Sequence, residues 1–454
     1  MALPFYSRGS NNQGYIKNME VVGFHDLDRV YAFQMALHKT KEGRYYMYCG
    51  SFKGAGVNII EVTDPAKPRS VKYFEVCDPK VYKKQSTPKI QVANNLMLVA
   101  LGGGIPFLHG VSWDDKNIGG LEIYSLDDPE NPQKLSHWDT GVENGIGVHR
   151  FAYNGGKYAY MPADCPGFVG MIIRVLDVSD PEHPVEAGRW WWPDQFKDGM
   201  LEGTYPTNHD ASMNWPGCHG CTLDGAHPDR LYSGYSGAGG VILDINNPSN
   251  PKLISQLKLL PPFSGKYAGN RCHTYLPLSG RDFAVLTNEG ERFPFFNKEI
   301  LSKGPNKGAQ PMNNLHMIDV SDITDQTLVA EFPYPVVPDG FPYPNFNTAG
   351  MNGAQGPFGP HNIHEPMGKQ WLENNPNRVY CCYFHAGMRV YDVSDPYYIR
   401  EIAYFIPPNP EGLYFQLPIP GPMLATTEDC VVDDRGYIYM DTFHDGMYIL
   451  RCLV

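Results

Sequence analysis

Four histidines stand in similar short motifs at distant places in the chain. His149 lies in GVHRFAY, His219 in GCHGCTL, His273 in RCHTYLP and His361 in GPHNIHE. Neutral imidazole binds Fe(II), Cu, Zn, Mn and Ni, and three or four histidines with an open coordination position are typical of catalytic metal sites. Histidine accounts for only 15 of 454 residues, so four matching placements favour one shared metal site. The alternative is a buried, hydrogen-bonded ring of polar groups that holds no metal.

Further ionisable residues extend this candidate site. Glu428 of TTEDCVV aligns with the histidines, where it either binds the metal or holds a histidine through its other ring nitrogen. His385 and His444 match one another in YFHAGMRVYD and TFHDGMYIL, and His364 follows His361 by three residues. His385 and His444 are candidates for ligands of a second ion, groups that orient the ligands, or proton carriers, and His364 is a candidate catalytic residue.

Two other residues are predicted to lie beside the four histidines, and two more are predicted to lie at the entrance to the candidate site. Lys89 and Gln34 are the residues that align with the histidines in the remaining repeats, and Lys89 is a candidate base. His209 and Asp210 of TNHDAS lie in a long loop that is predicted to line the entrance.

The elements that must position these residues repeat along the chain. Each copy is a β-rich run followed by an Asp-Pro turn, and other strand-like runs lie on both sides of it. In the fifth copy Ile323 replaces the proline. Four-stranded units repeated in this way are typical of a β-propeller. The copies begin at Val57, Leu121, Ile173, Val241, Leu315, Met388 and, in truncated form, Met447.

The ring is predicted to close through its two ends. The last unit has three strands, and the segment NMEVVGF from Asn18 to Phe24 resembles a missing outer strand. Pairing the two removes an exposed sheet edge. The sequence therefore predicts an all-β, seven-bladed β-propeller that forms a single domain over residues 1–454, with an N-terminal extension at 1–17.

Equivalent inner-strand positions converge on the axis of a propeller, so the histidines are expected to meet there. Long connections at 194–217, 289–314 and 334–360 are expected on the same face, as is the loop 102–120. Long loops over a rigid scaffold often carry function. Their aromatic stretches FPYPVVPDGFPYPNF and EGLYFQLP favour an aromatic or apolar vestibule.

Composition excludes several classes of partner. The net charge is −12, and without long basic tracts neither nucleic acid nor an anionic membrane is an expected partner. A small-molecule substrate is expected, and the oligomeric state is left open. Ten scattered cysteines and no long apolar run predict a reduced, cytoplasmic setting. Cys218 and Cys221 of CHGC are expected to be structural, with side chains on opposite faces of a strand.

The strand and turn IRVLDVSDPEHP, which begins at Ile173, resembles the LVIVD-repeat family of propellers, and the resemblance covers nearly the whole chain. The segment DDRGYIYMDTFHDGMYIL, with Asp433, Arg435 and His444, is similar to a blade of selenium-binding proteins of the methanethiol oxidase type. Carotenoid and stilbene cleavage oxygenases and oligogalacturonate lyases look similar in having histidines on a propeller. These likenesses imply a metal-dependent enzyme.

The resulting functional prediction is a metal-dependent oxidoreductase, an oxygenase or oxidase, acting on a small aromatic or apolar substrate. His149, His219, His273 and His361 would hold Fe(II) or copper, with zinc or manganese as other possibilities, and Glu428 or an outer histidine would move protons. The first alternative is a lyase or hydrolase that uses the ion as a Lewis acid and a histidine or Lys89 as base. A non-catalytic binding scaffold ranks third, because it leaves the axial histidines unexplained.

Overall fold

Seven antiparallel sheets arranged around one axis make up the computed structural model, which confirms the seven-bladed β-propeller. The structure describes residues 14–104, 109–196, 217–259, 272–289, 313–342, 346, 358–412, 414 and 424–454. Within these ranges, no helix has the length and apolar character that crossing a membrane requires.

The first blades follow one another along the chain. Two short strands come before them, β1 (Tyr15–Lys17) and β2 (Met19–His25). Blade 1 contains β3 (Ala32–Lys39), β4 (Tyr45–Ser51), β5 (Gly56–Glu61) and β6 (Arg69–Glu75). Blade 2 contains β7 (Gln85–Ser86), β8 (Ile90–Ala93), β9 (Leu96–Gly103), β10 (Gly120–Ser125) and β11 (Gln133–Asp139). Blade 3 contains β12 (Tyr158–Ala163), β13 (Ile172–Asp177) and β14 (Val185–Trp190). Blade 4 contains β15 (Gly220–Leu223), β16 (Arg230–Tyr235), β17 (Gly239–Asp244) and β18 (Lys252–Leu257).

The last three blades complete the ring. Blade 5 contains β19 (Cys272–Pro277), β20 (Phe283–Asn288), β21 (Leu315–Asp319) and β22 (Thr327–Glu331). Blade 6 contains β23 (Arg378–Cys382), β24 (Met388–Asp392) and β25 (Arg400–Ile406). Blade 7 contains β26 (Thr427–Val432), β27 (Tyr437–Thr442) and β28 (Gly446–Cys452). In blades 3 and 6 the innermost segment pairs only through isolated bridges, such as Val148 with Ala163 and Ile363 with Cys381. Two 3-10 turns span Leu27–Arg29 and Pro193–Gln195.

The N-terminal segment closes the ring as predicted. Strand β2 pairs antiparallel with β28, and Met19 lies opposite Cys452. Strand β1, which the sequence assigned to an extension, also pairs with β25 of blade 6, where Tyr15 lies opposite Ile406. The first described residues therefore join blades 6 and 7, and the outer edge of each is covered.

The Asp-Pro turns dock onto the outer strands of the preceding blades. Every outer strand contains a β-bulge, and the residue after the bulge is small in most blades. A Cβ atom on Gly23 would lie 2.0 Å from the carbonyl oxygen of Pro65 in the blade 1 turn. The hydroxyl of Ser255 in blade 4 donates to the Ile323 carbonyl at 2.6 Å. The turn of blade 5 therefore docks although Ile323 replaces its proline.

One connection on the lower face is much longer than the tight turns around it. Residues 365–373, named here the plug, run from the inner segment of blade 6 across the axis and touch five other blades. Its contacts are Met367 with Asn154 in blade 3, Gly368 with Gly225 in blade 4, Lys369 with Gln91 in blade 2, Trp371 with Leu37 in blade 1, and Leu372 with Asp433 in blade 7. The plug therefore closes the axial channel from below.

The docking of turns predicts the cost of adding one methyl group. Gly23→Ala should lower the free energy of unfolding by about 1–3 kcal/mol, because the new Cβ overlaps the Pro65 carbonyl in a packed contact. The matched control is Gly156→Ala, where the nearest atom would be 3.4 Å from the new Cβ. Urea unfolding measures both variants, and equal midpoints would contradict this account of blade docking.

Candidate metal centre

The inner strands are interrupted at one level, where two residues face a single partner on the next strand. In blade 5 Cys272 pairs with Asn288 and Tyr275 with Leu286, so His273 and Thr274 bulge from the ladder. The same shift occurs at Glu428 and Asp429 in blade 7. We name the first of the two residues in each blade the upper layer and the second the lower layer.

The upper layer brings together the four histidines that the sequence singled out. Ring centroids of His149 and His219 are 4.7 Å apart, those of His219 and His273 are 4.2 Å apart, and those of His273 and His361 are 4.7 Å apart. The row ends where His361 stacks on Phe384 at 4.5 Å. Four consecutive blades thus supply one continuous row of imidazoles.

A carboxylate that the sequence analysis did not single out faces this row. Ligand atoms of His219, His273 and Glu289 all lie within 4.8 Å of one another. The two carboxylate oxygens of Glu289 are each 3.9 Å from an Nε2 atom, one in His219 and one in His361. Two donor atoms that bind one ion at about 2.0–2.2 Å lie roughly 3–4 Å from each other, which is the range of the two 3.9 Å separations. The sequence signal that could have identified Glu289 was its position directly after β20, on the face where the inner strands begin.

A hydrogen bond fixes which ring nitrogen of His361 can face an ion. The Nδ1 atom of His361 lies 3.0 Å from the carbonyl oxygen of Glu428, so it carries the proton and leaves the lone pair on Nε2. The Nδ1 atom of His273 is 2.8 Å from Thr274 Oγ1. Its Nε2 is buried and has no hydrogen-bond partner among the described residues. Nδ1 of His273 also lies 3.4 Å from Nη1 of Arg150, which can only donate. The bonding of His361 is therefore the one that fits a metal-binding histidine whose second nitrogen is held by an oxygen.

Burial keeps the imidazoles neutral, which metal binding requires. Loss of solvation, aided by the charge of Arg150, lowers the pKa of His149 to about 3. Burial also lowers the pKa of His273 well below its usual value. At neutral pH both rings are therefore uncharged, and each keeps one nitrogen lone pair.

Glu428 lies beside the histidine row and contacts one of its members. This fully buried side chain places Oε2 3.2 Å from Nδ1 of His361. Of the two roles expected for Glu428, this geometry favours holding a histidine. Two further buried carboxyls follow it, and burial raises the pKa values of Asp429 and Asp441.

Lys89 and Gln34 belong to the lower layer and not to the histidine row. Lys89 directly precedes Ile90, as Thr274 precedes Tyr275, so it corresponds to the residue after His273. The inner-strand bulge causes this one-residue difference. In blade 1 the upper position holds Phe33, whose ring centroid is 6.3 Å from that of His149.

A buried ionic cluster lies in the lower layer around Glu365 of the plug. Its carboxylate accepts from Arg150 at 3.0 Å, from Lys89 at 3.3 Å and from Thr222 at 3.2 Å. Burial opposes ionisation, but Arg150 and Lys89 hold the pKa of Glu365 below its usual value. The cluster connects with the row above, because Arg150 donates to Thr274 at 2.6 Å and its Nη1 lies 3.4 Å from Nδ1 of His273.

The three other candidate histidines lie apart from the row. His364 uses both ring nitrogens on backbone groups, the carbonyl of Glu373 and the N–H of Val432, which favours a structural role. His385 contacts the carbonyl of Phe346 through Nε2 at 2.9 Å.

His444 accepts from the backbone N–H of Tyr414 and stacks on Tyr31 at 4.6 Å. His209, Asp210 and most of the aromatic loops lie outside the described residues.

A buried aromatic cluster stands beside the upper layer at blades 1 and 7. Its members are Tyr31, Phe33, Phe52 and Phe443, and His109 stacks on Phe52 with ring centroids 4.1 Å apart. Phe33 joins this cluster to the histidine row. The aromatic wall thus comes from short segments that the sequence analysis did not select.

Cys218 and Cys221 flank His219 on the same side of the chain. Their sulfur atoms are 3.7 Å apart, so the expectation that they point to opposite faces was wrong. The reason is local, since β15 begins only at Gly220 and the preceding residues do not follow strand alternation. Both are reduced and buried.

Comparison with known proteins supports a repeat propeller. The LVIVD repeat matches residues 155–190 and 231–258, within blades 3 and 4. No curated protein matches the sequence. The periplasmic gluconolactonase PpgL of Pseudomonas aeruginosa is similar with a TM-score of 0.51 and 10% identity, over 88% of this chain and 96% of that one.

Two further solved structures are similar at a lower level. The Cps50 (Swd1) β-propeller domain of Myceliophteria thermophila has a TM-score of 0.49 and 9% identity over 97% of this chain and 100% of that one. A streptogramin B lyase has a TM-score of 0.45 and 10% identity over 96% of this chain and 97% of that one. At such identities the likeness concerns the propeller fold alone.

The bonding of His364 predicts how stability changes with pH. Burial lowers the pKa of His364 to about 4. The contribution of His364 to the free energy of unfolding is therefore complete above pH 6.5 and is lost as the pH falls towards 4, at about 1.4 kcal/mol per pH unit. His364→Leu should cost about 2–4 kcal/mol at pH 7, because two buried backbone groups lose partners. It should also make the fall in stability from pH 7 to pH 5 shallower by about 2 kcal/mol.

Urea unfolding at the two pH values measures both effects. His183→Leu is the control, since that side chain is 77% exposed and should leave the fall unchanged. An unchanged fall in the His364 variant would contradict the assigned bonding.

Proposed function

We propose that the upper end of the axial channel binds one divalent transition-metal ion and that the protein is a metal-dependent oxidoreductase. The observation that carries the proposal is the convergence of His219, His273 and Glu289, with ligand atoms within 4.8 Å. His361 supports it, because its Nε2 faces the same carboxylate at 3.9 Å. His149 completes the row and is a further candidate ligand.

The donor set favours iron, with copper as the second choice. Two imidazoles and one carboxylate that leave coordination positions open are typical of non-haem Fe(II) oxygenases. When bound, such an ion would supply one-electron and oxygen chemistry at the open positions. Cytoplasmic location is part of the same proposal and follows only from the reduced cysteines.

The residues of the chain have separable tasks in this proposal. Glu428 orients His361 through its backbone carbonyl and its carboxylate. His149 remains neutral and offers a hydrogen bond to a ligand beside His219. The plug closes the lower end, so substrate and water reach the site from above. Excluding water strengthens the polar interactions within the site.

The aromatic cluster favours a small organic substrate with an aromatic or apolar part. Phe33 occupies the upper-layer position of blade 1, whereas His219 and His273 belong to blades 4 and 5. A flat apolar group could therefore pack against Phe33 while its polar end faces the metal. Phe52 stands behind Phe33, with ring centroids 4.8 Å apart, and supports that wall.

A lyase or hydrolase is the second candidate, because two histidines and a glutamate also form catalytic zinc sites. The ion would then act as a Lewis acid. Lys89 is an unfavourable base for this chemistry, since it lies below the row and is paired with Glu365. A histidine of the row is the better candidate for that role.

Metal content tests the proposal directly. Protein purified without a metal-affinity tag should contain close to one equivalent of metal, and His219→Ala combined with Glu289→Gln should reduce metal affinity by more than tenfold. His183→Ala serves as the control at an exposed site. Iron or copper with oxygen consumption would support the oxidoreductase, and zinc or manganese would support the lyase or hydrolase. A folded wild-type protein that takes up no metal after reconstitution would overturn both.

Glu428→Gln separates a positioning role from a structural one. The variant keeps the size of the side chain and the backbone carbonyl, but removes the carboxylate 3.2 Å from His361. Metal affinity should fall about 10–100-fold, and the absorption spectrum of the Co(II)-loaded protein should shift. Glu20→Gln, at an exposed side chain, is the control. An unchanged spectrum with unchanged affinity would remove Glu428 from the site.

A further inference from the structure

A small polar chamber lies between the lower layer and the plug. It has a volume of about 30 Å³, enough for two water molecules or one small ion. Leu37, Leu372 and Val431 form part of its wall. The titratable groups that line it are Lys89, His364, Glu365, Lys369, Asp429 and Cys430.

Positive charge is in excess around this chamber. Lys89 and Lys369 are only 5% and 6% exposed, and Arg150, at 2%, lies behind Glu365. With Lys369 protonated, these three cations face two carboxylates, Glu365 and Asp429, while burial raises the pKa of Asp441 behind Asp429 well above its usual value and favours its neutral form. Buried charges of one sign are costly unless an opposite charge compensates them.

Hydrogen-bond donors are also in excess. Lys89 contacts Glu365, and Lys369 donates to Oε1 of Gln91. Each ammonium group has three N–H donors, so each retains donors for a further acceptor. Among the acceptors already present, Oδ2 of Asp429 accepts from the Met35 backbone N–H at 2.8 Å, and both ring nitrogens of His364 are used by the backbone.

We propose that this chamber is a binding site for one small monovalent anion of about the size of chloride, held by the ammonium groups of Lys89 and Lys369. The anion would balance the third positive charge and accept the remaining N–H donors. It would also tie the plug to blade 2, because Lys369 belongs to the plug and Lys89 to blade 2. The site is separate from the proposed metal centre, and it needs no metal above it.

The proposal couples anion binding to a proton on Lys369. Burial and the charge of Lys89 lower the pKa of Lys369 to about 7. Below that pH the amine is already charged and anion affinity is constant. Above it the anion must bring a proton with it, so affinity should fall about tenfold per pH unit.

Thermal unfolding in matched salts tests the site. Sodium chloride is titrated against sodium gluconate at constant ionic strength, because gluconate is too large for the chamber. At pH 6 chloride should raise the Tm, and the rise should grow with the logarithm of the chloride concentration once that exceeds the Kd, as for a ligand of the folded state. At pH 8.5 the chloride concentration that gives the same rise in Tm should be more than tenfold higher.

Variants and diffraction assign the effect to the chamber. Lys369→Met should abolish the chloride dependence, whereas Lys67→Met, at an exposed lysine, should retain it. Bromide-soaked wild-type crystals should give an anomalous peak between Lys89 and Lys369, a result that does not depend on a variant folding. Equal Tm values in chloride and gluconate at pH 6, a chloride effect that persists in Lys369→Met, or the absence of a bromide peak in the chamber would each overturn the proposal.

Discussion

Closure of the ring is the constraint on which the rest of the structure depends. Strand β2 pairs with β28, and only a closed ring holds seven inner strands at one level around a common axis. The histidine row then follows, because His149 and His361 are far apart in sequence and are brought near one another only by the curvature of the ring. The turns reinforce closure, since those of blades 1, 3, 4 and 5 dock on the outer strand of the blade before them.

The axis is divided into two layers of different electrostatic character. In the upper layer, burial holds the imidazoles of His149 and His273 unprotonated and neutral. The lower layer is ionic and is organised by Glu365. A single backbone feature, the two-residue bulge of the inner strands, produces both layers, since consecutive residues project to different levels. Neutral imidazoles suit a metal, and the charged layer suits the closed end of a channel.

The sequence was sufficient for the fold and for the four histidines because both repeat. Asp-Pro turns identify the blades, and equivalent positions in a propeller must converge. Non-repeating features could not be found in this way. Glu289 lies directly after β20, outside the repeated inner-strand motif, and the plug is an insertion confined to blade 6. Lys89 was placed one residue out of register, because alternation along a strand does not reveal a bulge.

The most direct measurement is the crystal structure of the protein after reconstitution with Fe(II), with anomalous data recorded at the iron edge. The account predicts a single strong peak within about 2.0–2.2 Å of ligand atoms of His219, His273 and Glu289, with His361 or His149 beside it. An anomalous map without a peak at the upper layer, in crystals whose histidine row is ordered, would contradict the proposed metal centre.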